Sequence, residues 1–470
     1  MSYLYGMEIV LLGHMGRDEA VADRLREHRL YVLGEWQNPG LTEKAETSGG
    51  QFHVIDSIKN VELVTDIVQA IQPDMFLTNF DDSLAAGVVD AIKYRIADKR
   101  LSDLLIPCPD QKAARIESDK WELRQIIDEI NPKYNPINWM VSTEHEARQA
   151  LAFFKENDME VALKPRNPTG GKGVKVMGPH LRAYGKDNIA DERPTALEYA
   201  LQVLADRQQA GLEIQQKFDK DTCHEFTLQI LTDGKTMVRP PATYDYPYRL
   251  DGDTGPGTGG MGDFSMPAGE QLPFITDEDY DEAIELMDQV LEKLKERQMD
   301  YKGVLYPTFF KTPEGLKIVE INARAGDPEF INIVDLMEDD VDLSEALKLI
   351  ALGELAEDSV RYKKLASAMV YLVSPDYGYR KGSAYKFKMN PDAIAANECL
   401  TRFAASVRLN EDEYSTVGSS RTVGLSALGA TPWQARAKIH QAIAEGFEQP
   451  LPLQYRHDIA DEAYIRSLAV

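Results

Sequence analysis

Residues 306–329 read YPTFFKTPEGLKIVEINARAGDPE. The stretch opens as a strand, turns over at Thr312-Pro313-Glu314-Gly315 and returns as a second strand over 316–322. On the returning strand a period of two puts Ile318, Glu320 and Asn322 on one face. An acid and an amide two residues apart on a strand offer two hard oxygen ligands to one Mg²⁺. Arg324 continues the same parity, and Gly326-Asp327-Pro328-Glu329 then breaks the strand and adds two carboxylates. Metal-assisted handling of a phosphate is one reading of this hairpin. An edge strand with a solvated polar face is the other, and the stretch alone admits both.

Working outward, the chain has 470 residues, too many for one core and enough for about three domains. Hydrophobic residues make up 43% and charged residues 27%, which fits a globular protein. Lys and Arg total 52 against 77 Asp and Glu, a net charge of −25. That excess argues against a nucleic-acid binder, whose footprint is basic. It also requires any anionic ligand to be held by local cations and backbone N–H groups, against the global field. Cys108, Cys223 and Cys399 are odd in number and widely spaced, which suggests a reducing compartment and neither a disulfide frame nor a zinc site. No apolar run reaches the ~18 residues of a membrane span and the opening residues do not read as a signal peptide, so a cytoplasmic protein is expected.

Upstream, the apolar run 7–12 is followed by Gly13-His14-Met15-Gly16-Arg17-Asp18 and a helical segment from Glu19 to His28. Strand, glycine turn and helix begin an open α/β sheet, and such a helix N-terminus can hold a phosphate, although the same turn serves for chain reversal alone. A second unit follows: helix 61–72, strand 74–78, then Asn79-Phe80-Asp81-Asp82 before the helical 84–93. Residues 1–105 therefore read as a doubly wound α/β domain. Residues 112–130 have helical spacing, with Ala113, Ile116, Lys120, Leu123 and Ile127 near one face; a snorkelling lysine accounts for Lys120 as readily as a functional one.

A strand at 160–164 leads into Arg166-Asn167-Pro168-Thr169-Gly170-Gly171-Lys172-Gly173-Val174, a glycine-lysine loop flanked by a second strand at 174–177. Its glycines let backbone N–H groups approach phosphate oxygens, so it is a candidate phosphate flap; a plain glycine hairpin is the alternative. It is not a P-loop, because Gly follows the Gly-Lys pair and no helix follows the loop. Segments 212–216 and 225–231 read as paired strands. Gly255, Gly257 and Gly260 spell GxGxxG, but no strand leads in and no helix leaves, so 245–265 reads as a long ordered loop that can carry function. Beyond residue 355 strands at 366–373 and 422–427, then a helix from Thr431-Pro432, suggest an α+β domain over 355–470.

Taken together, the glycine loop, Asp251–Gly262 (DGDTGPGTGGMG), Tyr301–Tyr306 (YKGVLY) and Val319–Glu329 (VEINARAGDPE) resemble the phosphoribosylamine–glycine ligase (glycinamide ribonucleotide synthetase) family of the ATP-grasp superfamily. Glu117-Ser118-Asp119-Lys120 and the closing Tyr455-Arg456-His457-Asp458-Ile459 are similar to further motifs of that family. The resemblance implies three parts: the N-terminal α/β substrate domain over 1–105, an ATP-grasp domain over 106–354 with a flap subdomain at about 160–232, and the α+β domain over 355–470. It implies ATP and Mg²⁺, with Mn²⁺ as an alternative ion, and small-molecule substrates acted on by a monomer or homodimer.

Carried over by motif, Lys120 and Lys164 would contact ATP phosphates and Gly170, Gly171, Lys172 and Gly173 would cover them. Gln216 to Phe218 would present backbone groups to adenine, with Glu225 facing the nucleotide. Glu320 and Asn322 would hold the metal, and Arg324 would offset charge on the transferring phosphoryl group. Asp253, Thr254 and Gly255 with Asp327 would line the acceptor side, and Gly16, Arg17 and Asp81 would reach the substrate from the first domain. Departures concentrate away from the nucleotide, at 79–83 and 246–248. The implied activity is ADP-forming ligation of glycine to 5-phosphoribosylamine through an acyl phosphate, in purine synthesis. A second reading joins a different carboxylate and amine with the same machinery, and a third is a nucleotide-binding regulator without turnover.

Overall fold

The computed structural model describes residues 6–95, 103–167, 173–182, 192–206, 210–380, 382–404 and 407–469. The first unit is a four-stranded, wholly parallel sheet: Glu8–Leu12 (β1), Arg29–Gly34 (β2), Gln51–Val54 (β3) and Met75–Thr78 (β4), in the order β3-β2-β1-β4. β1 and β4 are buried along almost their whole length, as parallel strands covered by helices must be. The order reverses between β1 and β4, and at such a switch point the carboxyl ends of the two strands splay into a crevice. The helix Gly16–Arg24 leaves β1 there and the short helix Asp81–Ala86 leaves β4 there.

A second sheet holds Asn138–Val141 (β5), Val161–Pro165 (β6), Lys175–Val176 (β7) and Leu212–Gln216 (β8) in the order β5-β8-β6-β7. Its apolar faces, with the helices Glu144–Glu156 and Ala196–Ala205, form a hydrophobic core separate from that of the rest of the molecule. β8 pairs with β5 and β6, so the expected pairing of 212–216 with 225–231 does not occur. The chain from His224 instead enters the main sheet, because β8 is already flanked on both sides.

The main sheet contains His224–Thr227 (β9), Ile230–Thr232 (β10), Met237–Val238 (β11), Thr243–Asp245 (β12), Gly262–Ser265 (β15), Gly303–Thr312 (β16), Gly315–Asn322 (β17), Ala366–Val373 (β18), Cys399–Phe403 (β20) and Arg421–Gly429 (β23). β16 and β17 form the expected hairpin. β15 pairs with β18, so the sheet runs on across residue 355 into the last part of the chain. Between β12 and β15, Tyr248–Leu250 (β13) and Thr254–Gly257 (β14) make a two-stranded ribbon inside what reads as loop. Lys386–Phe387 (β19), Val407–Asn410 (β21) and Glu413–Thr416 (β22) form a small separate sheet. Among the described residues no helix is long and apolar enough to cross a membrane.

Candidate active site

Glu320 and Asn322 share one face of β17, where Asn322 Nδ2 donates to Glu320 Oε1 at 3.2 Å. Ile318 is not with them. Thr308 pairs with Glu320 while Phe309 pairs with Ile318, so Val319 is an extra residue and the strand bulges there. The extra residue reverses the parity, sending Ile318 and Ile321 together into the core. Buried Arg124 holds the bulge: its guanidinium donates to the carbonyl of Ile318 at 2.8 Å and of Val319 at 2.5 Å, and its Nε to Glu213 Oε1 at 2.7 Å. Lys164 Nζ also reaches the Val319 carbonyl, at 3.4 Å.

The segment expected as one helix over 112–130 is two, Arg115–Ser118 and Lys120–Ile130, because Asp119 is extended and caps the second by accepting from Trp121 N at 3.1 Å. Lys120 is thus the first residue of a helix and not part of an apolar stripe. Burial lowers the pKa of both Lys120 and Lys164, and Glu320 lies close enough to raise each part of the way back. Two partly desolvated ammonium groups thus stand beside the Glu320 carboxylate of β17. Opposite Phe310 on β16 stands Glu225, whose carboxyl is pushed up to about 8 by burial and then by Glu320. Phe218 packs its ring on Phe310, centroids 4.8 Å apart, just past Gln216 at the end of β8. Gly173 has φ +77° and its carbonyl accepts from the Tyr199 hydroxyl. Gly170, Gly171 and Lys172 lie outside the described residues.

Arg324 links this half to the crevice of the first domain. It donates to Asn322 Oδ1 at 3.3 Å and to the Ala325 carbonyl at 3.1 Å, lies 5.5 Å over the Tyr306 ring, and approaches Glu117 Oε1 at 3.7 Å. Glu117 is buried, accepts from Ala323 N at 2.7 Å, and has its carboxyl raised to about 7 by burial against the opposing pull of Arg324. Across the crevice, Asp81 lies within electrostatic reach of both Arg324 and Arg17. Phe80 lies beside the His14 ring, centroids 4.8 Å apart, and under the Arg17 guanidinium at 5.0 Å. Asp82 turns away, towards Lys59 at 3.6 Å.

The N-terminus of the helix Gly16–Arg24 already faces an anion. Asp327 Oδ2 accepts from Arg17 N at 3.2 Å, its Oδ1 accepts from the Tyr371 hydroxyl at 2.6 Å, and Arg421 lies 3.2 Å from the same oxygen. Burial works against the charge on Asp327, but Arg421 and Arg17 outweigh it and hold the carboxyl below its ordinary value. Gly16 is required by this packing, since a Cβ there would sit 2.6 Å from the Tyr371 hydroxyl oxygen. A phosphate at this helix end would have to displace Asp327.

The ribbon β13–β14 is clamped from the end of the chain. Arg456 donates to Asp253 Oδ1 at 2.8 Å and to the Tyr248 carbonyl at 3.0 Å, while Asp458 accepts from Gly252 N at 2.8 Å. Asp253 takes φ +52°, which an aspartate tolerates, and Gly255 follows at +78°. The Thr254 hydroxyl turns back to the Asp251 carbonyl at 2.9 Å. No hydrogen bond or ion pair joins Asp253, Thr254 or Gly255 to Asp327; Asp253 lies on the Glu225 side.

Sequence reading missed Arg421 and Tyr371, which come from strands far along the chain, and Arg124, whose role is to hold a carbonyl pair. Only the buried arginine just before the strand at 422–427 left a trace, a charge at the edge of an apolar run.

Residues 124–330 match the family model described as phosphoribosylglycinamide synthetase, ATP-grasp (A) domain. The chain is 33% identical over 453 residues to a phosphoribosylamine–glycine ligase of Methanopyrus kandleri, covering 93% of each chain. To that of Methanoregula boonei it is 31% identical over 466 residues, covering 98% of each. The chain belongs to the phosphoribosylamine–glycine ligase family. The crystal structure of the Thermotoga maritima ligase superposes with a TM-score of 0.69 at 20% identity, covering 96% of this chain and 99% of that one. A biotin carboxylase domain from Hydrogenobacter thermophilus, solved with MgADP, superposes at 0.65 and 13% identity, covering 96% of this chain and 92% of that one. At these identities the superpositions establish the fold, an ATP-grasp architecture set between an α/β domain and a C-terminal extension of the main sheet.

Proposed function

We propose that this chain is an ATP-dependent C–N ligase that joins glycine to 5-phosphoribosylamine, releasing ADP and phosphate by way of an acyl phosphate. The observation that carries the reading is Arg324, which stands between the Glu320–Asn322 pair with its two lysines and the crevice where Arg17, Asp81 and Asp327 meet. A carboxylate cannot be displaced as oxide, so ATP must first convert it to an acyl phosphate, which the amine then attacks. The protein's share is charge neutralisation and in-line positioning.

In this reading Lys120 and Lys164 neutralise the phosphates, Gly170, Gly171, Lys172 and Gly173 cover them, and Gln216, Phe218 and Glu225 surround the base and ribose. Arg324 meets the charge that develops on the transferred phosphoryl group. Gly16, Arg17, Asp81 and Asp327 position the acceptor, with Asp253, Thr254 and Gly255 bordering it. The donor set fits Mg²⁺: Glu320 and Asn322 give one carboxylate and one amide oxygen, and this ion takes its other ligands from water and phosphate. Bound there, Mg²⁺ would supply Lewis-acid neutralisation of phosphoryl oxygens. A cytoplasmic monomer or homodimer acting on small molecules belongs to the same proposal.

Phe80, whose ring meets both His14 and Arg17, favours a second reading, the same chemistry on another carboxylate and amine. ADP release measured with phosphoribosylamine and glycine, each omitted in turn, decides between them. Turnover of roughly 1–1000 s⁻¹ requiring both supports the first; ADP release indifferent to either rejects it.

A further inference from the structure

Buried Arg124, Arg402, Arg421 and Arg456 each hold a carboxylate at 2.6–3.2 Å. Arg249 on β13 is as deeply buried, 1% exposed, and no ion pair joins it to an acid among the described residues. Its Nη2 donates to Gln454 Oε1 at 2.7 Å and to the Ser374 carbonyl at 3.4 Å, while its buried Nε has no partner. Burial lowers its pKa, and only the hydroxyls of Tyr379 and Tyr377 act in the opposite sense. A guanidinium taken out of water with neutral acceptors alone is costly, and an anion offsets that cost.

Arg249 borders a cavity of about 770 Å³ that opens between the β13–β14 ribbon, the helix Pro432–Gly446 and the segment 449–457. The volume lies in the range of small-molecule pockets. Ile443, Leu451 and Leu453 give the cavity apolar walls, and Gln454 and His457 join Arg249 among its polar groups. The one acid in its lining, Asp251, is already engaged: Oδ1 accepts from His457 N at 2.8 Å, and Oδ2 lies 3.4 Å from His457 Nδ1. The neighbouring Tyr248 takes the other face of the ribbon, with its ring 4.2 Å from the Lys220 ammonium. None of the cavity's lining residues has a part in the ligase reading above, so the site stands independently of it.

We propose that this cavity is a second ligand site, which takes a small monocarboxylate with an apolar body and pairs its –CO₂⁻ group with Arg249. A planar carboxylate matches the guanidinium fork, and a single negative charge matches a single cation. The apolar remainder of the ligand lies against Ile443, Leu451 and Leu453. A phosphate dianion suits the cavity less, because one guanidinium meets half its charge and Asp251 repels the rest.

Benzoate and hexanoate serve as probes on the full chain, with benzamide as the uncharged control and phenyl phosphate as the alternative anion. Ligand-observed NMR titration should show saturable binding of at least one carboxylate with a Kd below about 10 mM, the range for so small a ligand. Benzamide should bind at least tenfold more weakly than benzoate. Arg249→Met should weaken carboxylate binding at least tenfold and leave benzoate no tighter than benzamide. Because that variant also loses a buried side chain, Gln454→Glu is the second: it gives Arg249 a carboxylate from within the chain. Gln454→Glu should raise the Tm and weaken carboxylate binding at least tenfold. Affinity within twofold of wild type in Gln454→Glu overturns the proposal, as does failure of both carboxylates to bind the wild type. Phenyl phosphate binding tenfold more tightly than either carboxylate also overturns it, in favour of phosphate monoesters.

Discussion

Glu320 carries the only carboxylate of the proposed two-residue metal set, and the hairpin around it reads off the sequence because a turn and a period of two need no distant partner. Glu320→Gln should lower kcat by roughly two to three orders of magnitude, with added Mg²⁺ failing to restore it. Activity close to wild type across a Mg²⁺ titration would contradict this assignment. Glu117 was legible only as part of a motif; its task depends on contacts 206 and more residues away, to the Ala323 N–H and the Arg324 guanidinium. Its carboxyl is raised to about 7, by burial first and with Arg324 opposing. As pH falls through that value Glu117 gains a proton and Arg324 loses its counter-charge. The kcat/KM profile should therefore drop on the acid side near pH 7, and in Glu117→Gln this limb should vanish, leaving a lower, flatter curve. An unchanged acid limb in the variant would show that another group produces it.

At the scale of elements, alternation along 316–322 put Glu320 and Asn322 on one face, as found, but with the wrong neighbour. Ile318 belongs to the core, and the reason is the bulge at Val319. No local signal announces a bulge held by an arginine from a helix nearly 200 residues earlier. Long-range pairing also defeated the reading of 212–216 with 225–231, since strand propensity does not name a partner. Arg124 ties three elements together: its own helix, β8 through Glu213, and the bulge of β17. Arg124→Met should cost about 3–5 kcal/mol, because buried Glu213 is left without its charge partner. Arg124→Met with Glu213→Gln should recover much of that in a denaturant melt. If the bulge sets the spacing of Glu320 and Asn322, the double variant should still need a several-fold higher Mg²⁺ concentration for half-maximal activity. Full recovery of both stability and Mg²⁺ dependence would show that Arg124 acts only as the partner of Glu213.

Over the whole molecule, the three-part plan was legible from the alternation of strands and helices. The continuous sheet through β15 and β18 was not, nor was the meeting of Arg17, Asp327, Tyr371 and Arg421, because composition carries no information on which distant strands pair. What the assembled site does carry is a group of acids held partly out of water. Asp263 and Asp245 are pushed well above the carboxylate range by burial and then by Glu329, and Glu225 is raised to about 8. In the unfolded chain each ionises near pH 4. Between that value and the folded one the native state binds the extra proton, so stability falls as pH rises. His14 and His440, lowered to about 4 chiefly by burial, act in the opposite sense, but only below the ordinary histidine value near 6.5. From pH 6.5 to 8 the acids therefore dominate. Fully buried Asp263 contributes at most about 1.4 kcal/mol per pH unit, and the half-buried Asp245 and Glu225 less because water screens them. The ligand-free protein should lose a few degrees of Tm over that interval, and Asp263→Asn should flatten the slope. Saturating ATP with Mg²⁺ should flatten it too, since cations near Glu225 favour its charged form. A Tm that stays level or rises from pH 6.5 to 8 in the ligand-free protein would mean that these carboxyls are already ionised and paired.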